Sequence, residues 1–230
     1  MENSVRVLST LALKGAISSL AEQYRTASGA RIEADFAPTL KLLERLKDGE
    51  TADVLILTQE GLEGLAASRS VVAESCVDLA CSYVGVAVKA GSPHPDIATE
   101  AALRTALLGA RSVAYSRLGA SGVYFAKLIA QLGIEAEINA RATISPIGFT
   151  AERIVSGEAD LAIQQISELK QVKGVEIVGP VPLHLQTPAV FSAGRLAQSK
   201  KMREADLLLK FLASEQAAPV LRESGLEGVR

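Results

Sequence analysis

The chain repeats one pattern: a short run of β-branched and other apolar residues, a polar turn, then an apolar stripe at helical spacing that stops at a glycine. Val5-Arg-Val-Leu-Ser9 reads as a strand, and the stripe behind it puts Leu13, Ile17, Leu20 and Tyr24 on one helix face before Gly29. Arg31 to Phe36 alternates charged and apolar residues, as a strand does. Pro38-Thr39 then opens a helix whose Leu40, Leu43 and Leu46 are expected to point inward, with Gly49 at its end. Asp53-Val-Leu-Ile-Leu57 is continuously apolar after its aspartate, the mark of a strand covered by helices on both faces. This β-α-β-α-β order confines the chain to an α/β layer structure with a parallel sheet, because parallel neighbours need a crossover helix.

A second unit follows the same grammar. Val84 to Lys89 is extended, Ser92-Pro-His-Pro95 is a loop, and Ser112-Val-Ala-Tyr115 is a strand. Ser116-Arg-Leu-Gly-Ala-Ser-Gly122 turns into a helix bearing Tyr124, Leu128, Ile129 and Leu132, closed by Gly133. Asp160-Leu-Ala-Ile163 and Val175 to Val178 are further strands, after which Gly179-Pro-Val-Pro182 is expected to break the pattern. The last helix begins near Arg203. Two extended crossings, near residues 80–89 and 183–192, divide the chain into a discontinuous first lobe, residues 1–80 plus 190–230, and an inserted second lobe, residues 81–189. The expected fold is two-lobed α/β, with helix-flanked mixed sheets and a ligand cleft between the lobes.

Charge and composition exclude several partners. Among 230 residues, 24 Lys and Arg stand against 26 Asp and Glu, too balanced for a nucleic-acid binder, which needs a basic face. Tryptophan is absent and aromatics are 4%, so stacking platforms are scarce and a ligand gripped through polar or charged groups is expected. Cys76 and Cys81 are read as two buried thiols, and on a strand their odd separation puts them on opposite faces, against a disulfide. A secretory leader needs a basic start and ~7–15 uninterrupted apolar residues. Glu2 has the wrong charge, Ser9 and Thr10 dilute the run, and Lys14 ends it. No stretch approaches the ~18 apolar residues of a membrane span. The expected location is cytoplasmic as written, or periplasmic if a leader has been trimmed.

No phosphate-cradling glycine motif is present, and neither His94 nor His184 is spaced to a second metal ligand, so no metal or cofactor is expected. What remains is a set of polar turns feeding helix N-termini, where free N–H groups and the helix dipole attract anions. These are Ser9 to Lys14, with Thr10; Phe36 to Thr39; Ser116 to Gly122; and Ser145 to Thr150. Each hydroxyl there reads either as a helix cap or as a ligand contact. Lys14, Lys41 and Arg117 add cations near three of the turns. Gln164 and Gln165 follow a buried run, and buried amides need partners that a ligand would supply. Glu168 reads either as a solvated helix-start carboxylate or as a proton carrier.

Asp35-Phe-Ala-Pro-Thr39, Thr51-Ala-Asp-Val-Leu-Ile56, Gly119-Ala-Ser-Gly-Val-Tyr-Phe125 and Ser156-Gly-Glu-Ala-Asp-Leu-Ala-Ile163 together resemble the molybdate-binding branch of the type II periplasmic-binding-protein fold over nearly the whole chain. The resemblance implies ligand positions at Ala12, Thr39, Ser121, Ile147 and Gln165, with Thr10, Gly122, Tyr124, Arg117 and Gln164 beside them. Ala12 and Gln165 stand where that branch has a serine and a tyrosine. Together with Gly119 to Phe125, Leu11-Ala-Leu-Lys-Gly15, Ile163-Gln-Gln-Ile-Ser-Glu-Leu169 and Val178-Gly-Pro-Val-Pro182 are similar to a molybdate-binding-like subgroup that resembles bacterial aconitate isomerase. That likeness implies a small di- or tricarboxylate ligand, a 1,3-allylic proton shift and no cofactor, with Lys14, then Lys41, then Glu168 as the base. The competing expectation is a non-catalytic receptor for molybdate or a similar oxyanion, partnered by a transporter permease only if a leader was removed, or a cytosolic anion sensor.

Overall fold

The computed structural model describes residues 4–229. The chain divides into two compact units, one built from the residues up to Ser82 and those from Ala189 onward, the other from Tyr83–Pro188. The first unit opens with β1 (Ser4–Ser9), a 3₁₀ turn (Leu11–Leu13), α1 (Lys14–Ser28), β2 (Arg31–Phe36), α2 (Thr39–Lys47), β3 (Val54–Thr58), α3 (Gln59–Ala67) and β4 (Val77–Ser82). The second unit runs β5 (Val84–Lys89), α4 (Glu100–Gly109), β6 (Val113–Tyr115), α5 (Ala120–Gln131), α6 (Glu135–Asn139), β7 (Thr143–Ile144), α7 (Ala151–Val155), β8 (Leu161–Gln165), α8 (Ile166–Leu169) and β9 (Val175–Pro180). The first is completed by β10 (Ala189–Arg195), α9 (Met202–Leu212) and α10 (Ala218–Glu223). Among the described residues no helix is long and apolar enough to cross a membrane.

Each unit is built on a mixed five-stranded sheet, in the orders β2-β1-β3-β10-β4 and β7-β6-β8-β5-β9. In both, three strands are parallel and the fourth in order runs antiparallel to its two neighbours. The two Ala-Asp motifs explain part of this likeness. Asp53 accepts the backbone N–H of Arg6 at 2.9 Å, and its own N–H donates to the Arg6 carbonyl at 2.8 Å, fastening the start of β3 to β1. Asp160 accepts the Arg111 N–H at 2.8 Å while its N–H donates to the Ser112 carbonyl at 3.0 Å, fastening β8 to β6. An aspartate just before a buried strand thus sets the register of a parallel pair twice.

The stripe on α1 is buried as its spacing requires, with Leu13, Ile17, Leu20 and Tyr24 packed in the core of the first unit. Burying each such side chain is worth about 1.5–3 kcal/mol, so tertiary packing holds this helix. On α2 the expectation for Leu40 is corrected. Leu40 is 47% exposed, and Leu42, with Leu43 and Leu46 beside it, faces the core. Thr39 and Leu42 are both buried, three positions apart, and that face leaves Leu40 outside. The predicted break at Gly179 comes two residues late. β9 runs through Pro180 because it is an edge strand, where the missing N–H costs no ladder bond. Cys76 is exposed rather than buried, because it sits in the segment leading into β4, whereas Cys81 within β4 is buried.

Candidate functional site

In the first unit β1 ends at a turn that leads through the 3₁₀ segment into α1. Thr10 there is 3% exposed, and its Oγ1 is fully buried without a hydrogen-bond partner among the described residues. Its backbone N–H donates to the Ile56 carbonyl at 3.0 Å, so the turn is tied to β3 and the side chain alone lacks a partner. Buried hydroxyls are ordinarily satisfied. No side chain caps α1 and no acidic residue lies in its first turn, where Lys14 is exposed. Ala12, an expected ligand position, is packed into the hydrophobic core, so its methyl faces apolar neighbours. Thr39 is buried at the first position of α2. Lys41 lies on the exposed side of that helix and pairs with Glu44 at 2.6 Å.

In the second unit the turn after β6 brings α5 very close to the chain behind it. A Cβ built on Gly122 would stand 1.6 Å from the Ser116 carbonyl oxygen, so only glycine allows this approach. Ser116 Oγ accepts the Leu118 N–H at 3.2 Å, Ser121 is buried beside Gly122, and Arg117 is exposed on the same turn. The Tyr124 hydroxyl donates to the Leu185 carbonyl at 3.0 Å, and burial pushes its pKa up to about 12. Ile147 is 68% exposed, and its carbonyl accepts the Ser145 hydroxyl at 2.9 Å.

The end of β8 brings three of the expected residues together. Gln164 and Gln165 are buried, and Glu168, on the single turn of α8, is only 8% exposed. The reading of Glu168 as a solvated carboxylate is therefore corrected. Its carboxyl accepts the backbone N–H of Gln165 and the side-chain amide of Gln164. The first of these contacts is the reciprocal half of a capping box, with Gln165 at the N-cap and Glu168 at the third helical position. Burial raises the Glu168 pKa to about 8 against the pull of both donors, because removal from water penalises the charged form more than two hydrogen bonds relieve it. α8 packs on β5, β8 and β9. Among those strands the titratable side chains are Lys89 and Glu176, opposite Val175 and Val88 at the far end of the β5–β9 ladder, while Val84 pairs with Gln165. Ser167, the residue before Glu168, carries another fully buried hydroxyl without a partner among the described residues.

Gln164 needs no ligand to satisfy it, contrary to expectation. Its Oε1 accepts the Thr150 N–H at 2.7 Å and the Thr150 hydroxyl at 3.0 Å, while Nε2 donates to the Gly148 carbonyl at 3.3 Å and to Glu168. All four directions of the amide are used. Thr150, read from the sequence as either a cap or a ligand contact, is a residue that sequence reasoning missed in this network. The spacing Gln165-x-x-Glu168 was the available sign that the glutamate folds back onto the chain.

The profile of the family described as bacterial extracellular solute-binding protein matches residues 5–227. The chain belongs to this family. It is 35% identical over 232 aligned positions to an aconitate isomerase of a Pseudomonas species, covering 98% of this chain and 88% of that protein. Among solved structures, the periplasmic molybdate-binding protein of Azotobacter vinelandii is similar with a TM-score of 0.84 and 17% identity, covering 98% of this chain and 100% of the other. The sulfate-binding protein SubI of Mycobacterium tuberculosis H37Rv is similar with a TM-score of 0.78 and 17% identity, covering 99% and 87%. The two latter likenesses establish the fold this solute-binding family member shares with oxyanion-binding proteins. The two-unit α/β architecture agrees with them, and its sheets are mixed, as the resemblance implied, rather than the purely parallel sheet read from the strand and helix pattern.

Proposed function

We propose that this chain binds a small polycarboxylate and shifts a proton across its allylic system, the chemistry named by its aconitate isomerase relative, with Glu168 as the proton carrier. The observation that carries the reading is the buried Glu168 carboxyl, whose pKa of about 8 makes its ionised form a far stronger base than an ordinary carboxylate. In the step, Glu168 takes a proton from the methylene carbon beside one carboxylate. The C–H electron pair forms the new double bond, and the old one delocalises into a carboxylate as a dienolate. The neutral Glu168 then returns the proton to the carbon at the far end of the allylic unit, so no co-reactant is consumed. Lys14 and Lys41, the first choices for the base, suit the role of carboxylate clamps better. Both are exposed, and Lys41 is engaged by Glu44. Each unit carries a helix start suited to an anion: α1 with Thr10 and Lys14, and α5 with Ser121 and Arg117.

Incubation with trans-aconitate, followed by proton NMR for cis-aconitate, tests the reading. Conversion by the protein and its loss in Glu168→Gln are expected. Absence of conversion overturns the isomerase. The second reading, a non-catalytic oxyanion receptor, draws on the family match and the likeness to the molybdate-binding protein. It predicts thermal stabilisation by molybdate or sulfate and none by trans-aconitate, where a ligand at 100 times its Kd stabilises by roughly 2.7 kcal/mol.

A further inference from the structure

The Thr150–Gln164–Glu168 chain of hydrogen bonds has a defined direction. A backbone N–H can only donate, so the 2.7 Å contact from Thr150 fixes the Gln164 oxygen toward Thr150 and leaves the Gln164 nitrogen toward Glu168. The Thr150 hydroxyl reinforces the same orientation at 3.0 Å, and the Gly148 carbonyl accepts the second amide hydrogen at 3.3 Å. A flipped amide would face the Thr150 N–H with its own NH₂ and the Gly148 carbonyl with its oxygen, losing both of those contacts in a buried setting where each lost partner is costly.

We propose that Gln164, locked by Thr150, is a positioning residue that keeps the Glu168 proton available for transfer. Gln164 offers Glu168 only a donor. A proton on Glu168 therefore cannot be tied up in a hydrogen bond to the amide, and it occupies a lone pair that the Gln164 and Gln165 donors leave uncovered. A flipped Gln164 would accept that proton and hold it. Gln164 itself touches no substrate in this account, its four directions being spent on protein partners. The inference rests on Glu168 being the proton carrier, but its structural half stands separately. The amide stabilises the ionised carboxylate, so its removal raises the pH at which Glu168 ionises.

The test combines the pH profile of trans-aconitate isomerisation with a carbon-13 NMR titration of Glu168 in glutamate-labelled protein, for wild type, Gln164→Met, Thr150→Val and Thr150→Ser. Loss of one hydrogen bond to a charged group should move the ionisation upward by about one pH unit. In Gln164→Met both the Glu168 titration and the acid limb of kcat/KM are expected to move up, with KM little changed. Thr150→Val, which removes only the hydroxyl, should move both by less, and Thr150→Ser should restore the wild-type midpoint. A Glu168 titration unmoved in Gln164→Met, or in Thr150→Val if the former does not fold, overturns the inference. So does a fall in kcat/KM that comes through KM with an unmoved limb. Wild-type protein that leaves trans-aconitate unchanged overturns the isomerase reading instead, while a shifted Glu168 titration in the same variants still supports the lock.

Discussion

Asp53 accepts a hydrogen bond from the Ser199 hydroxyl at 2.7 Å, 146 residues away in sequence, while its other carboxylate oxygen holds the Arg6 N–H. One buried side chain therefore joins the opening strand of the first unit to the segment that follows β10. Asp53→Ala leaves both donors without their acceptor and should cost about 2–4 kcal/mol, read as a lower urea midpoint. Asp160→Ala, the counterpart in the second unit, should cost about 1 kcal/mol or less, since the Asp160 side chain is 44% exposed and water can replace it. Equal losses from the two variants would contradict this ranking.

Glu168→Gln should make the protein more stable in alkaline buffer while removing isomerisation. In the folded protein the carboxyl keeps its proton up to about pH 8, against an ordinary value of 4.5. Between those limits the folded state binds more protons than the unfolded state, so its stability falls as pH rises, by up to about 1.4 kcal/mol per unit. The glutamine variant has no such proton. Its Tm advantage over wild type should widen from pH 5 to about 8 and level off above. A difference independent of pH would show that burial does not govern this carboxyl.

Gly122→Ala should lower the Tm by several degrees or prevent folding, because its Cβ would overlap the Ser116 backbone oxygen, and relief requires the backbone itself to shift. Gly119→Ala, three residues earlier on the same turn, meets only the Ser116 hydroxyl at 3.9 Å and should be within about 0.5 kcal/mol of wild type. Differential scanning calorimetry on the pair separates crowding at one backbone contact from a general intolerance of side chains.

One thiol should react in the native protein and two after unfolding. Cys76 is exposed but its pKa is raised, first by partial burial and then by the charges of Asp78, Glu74 and Glu63, so its modification by a chromogenic disulfide should be slow at neutral pH. Cys81 is buried in β4. Rapid loss of both thiols without denaturant would contradict this.

Periodicity carried much of the fold. The α1 stripe and the strand beginning at Val54 were legible because a period of 3.6 or an unbroken apolar run reports burial directly. Leu40 was misplaced because five apolar or half-buried positions crowd one short helix, and which of them faces inward depends on how α2 lies on the sheet. The site was less legible. Gln164 showed as a polar residue where a core strand should be apolar, but its partner Thr150 lies in a turn 14 residues earlier, and only the packed fold brings them together. Glu168 carried no sign of its burial, since a glutamate at a helix start is most often solvated.

The order of strands in the first unit bears on how the chain is made. β4 joins its sheet only through β10, and Ser82 pairs with Ala189 across the whole intervening segment. During synthesis from the N-terminus, β4 must wait unpaired until residues 189–195 leave the ribosome, whereas every strand of the second unit has emerged by Pro180. The unit that starts later can therefore finish first, and β4 is the exposed edge that the nascent chain has to keep from pairing elsewhere in the meantime.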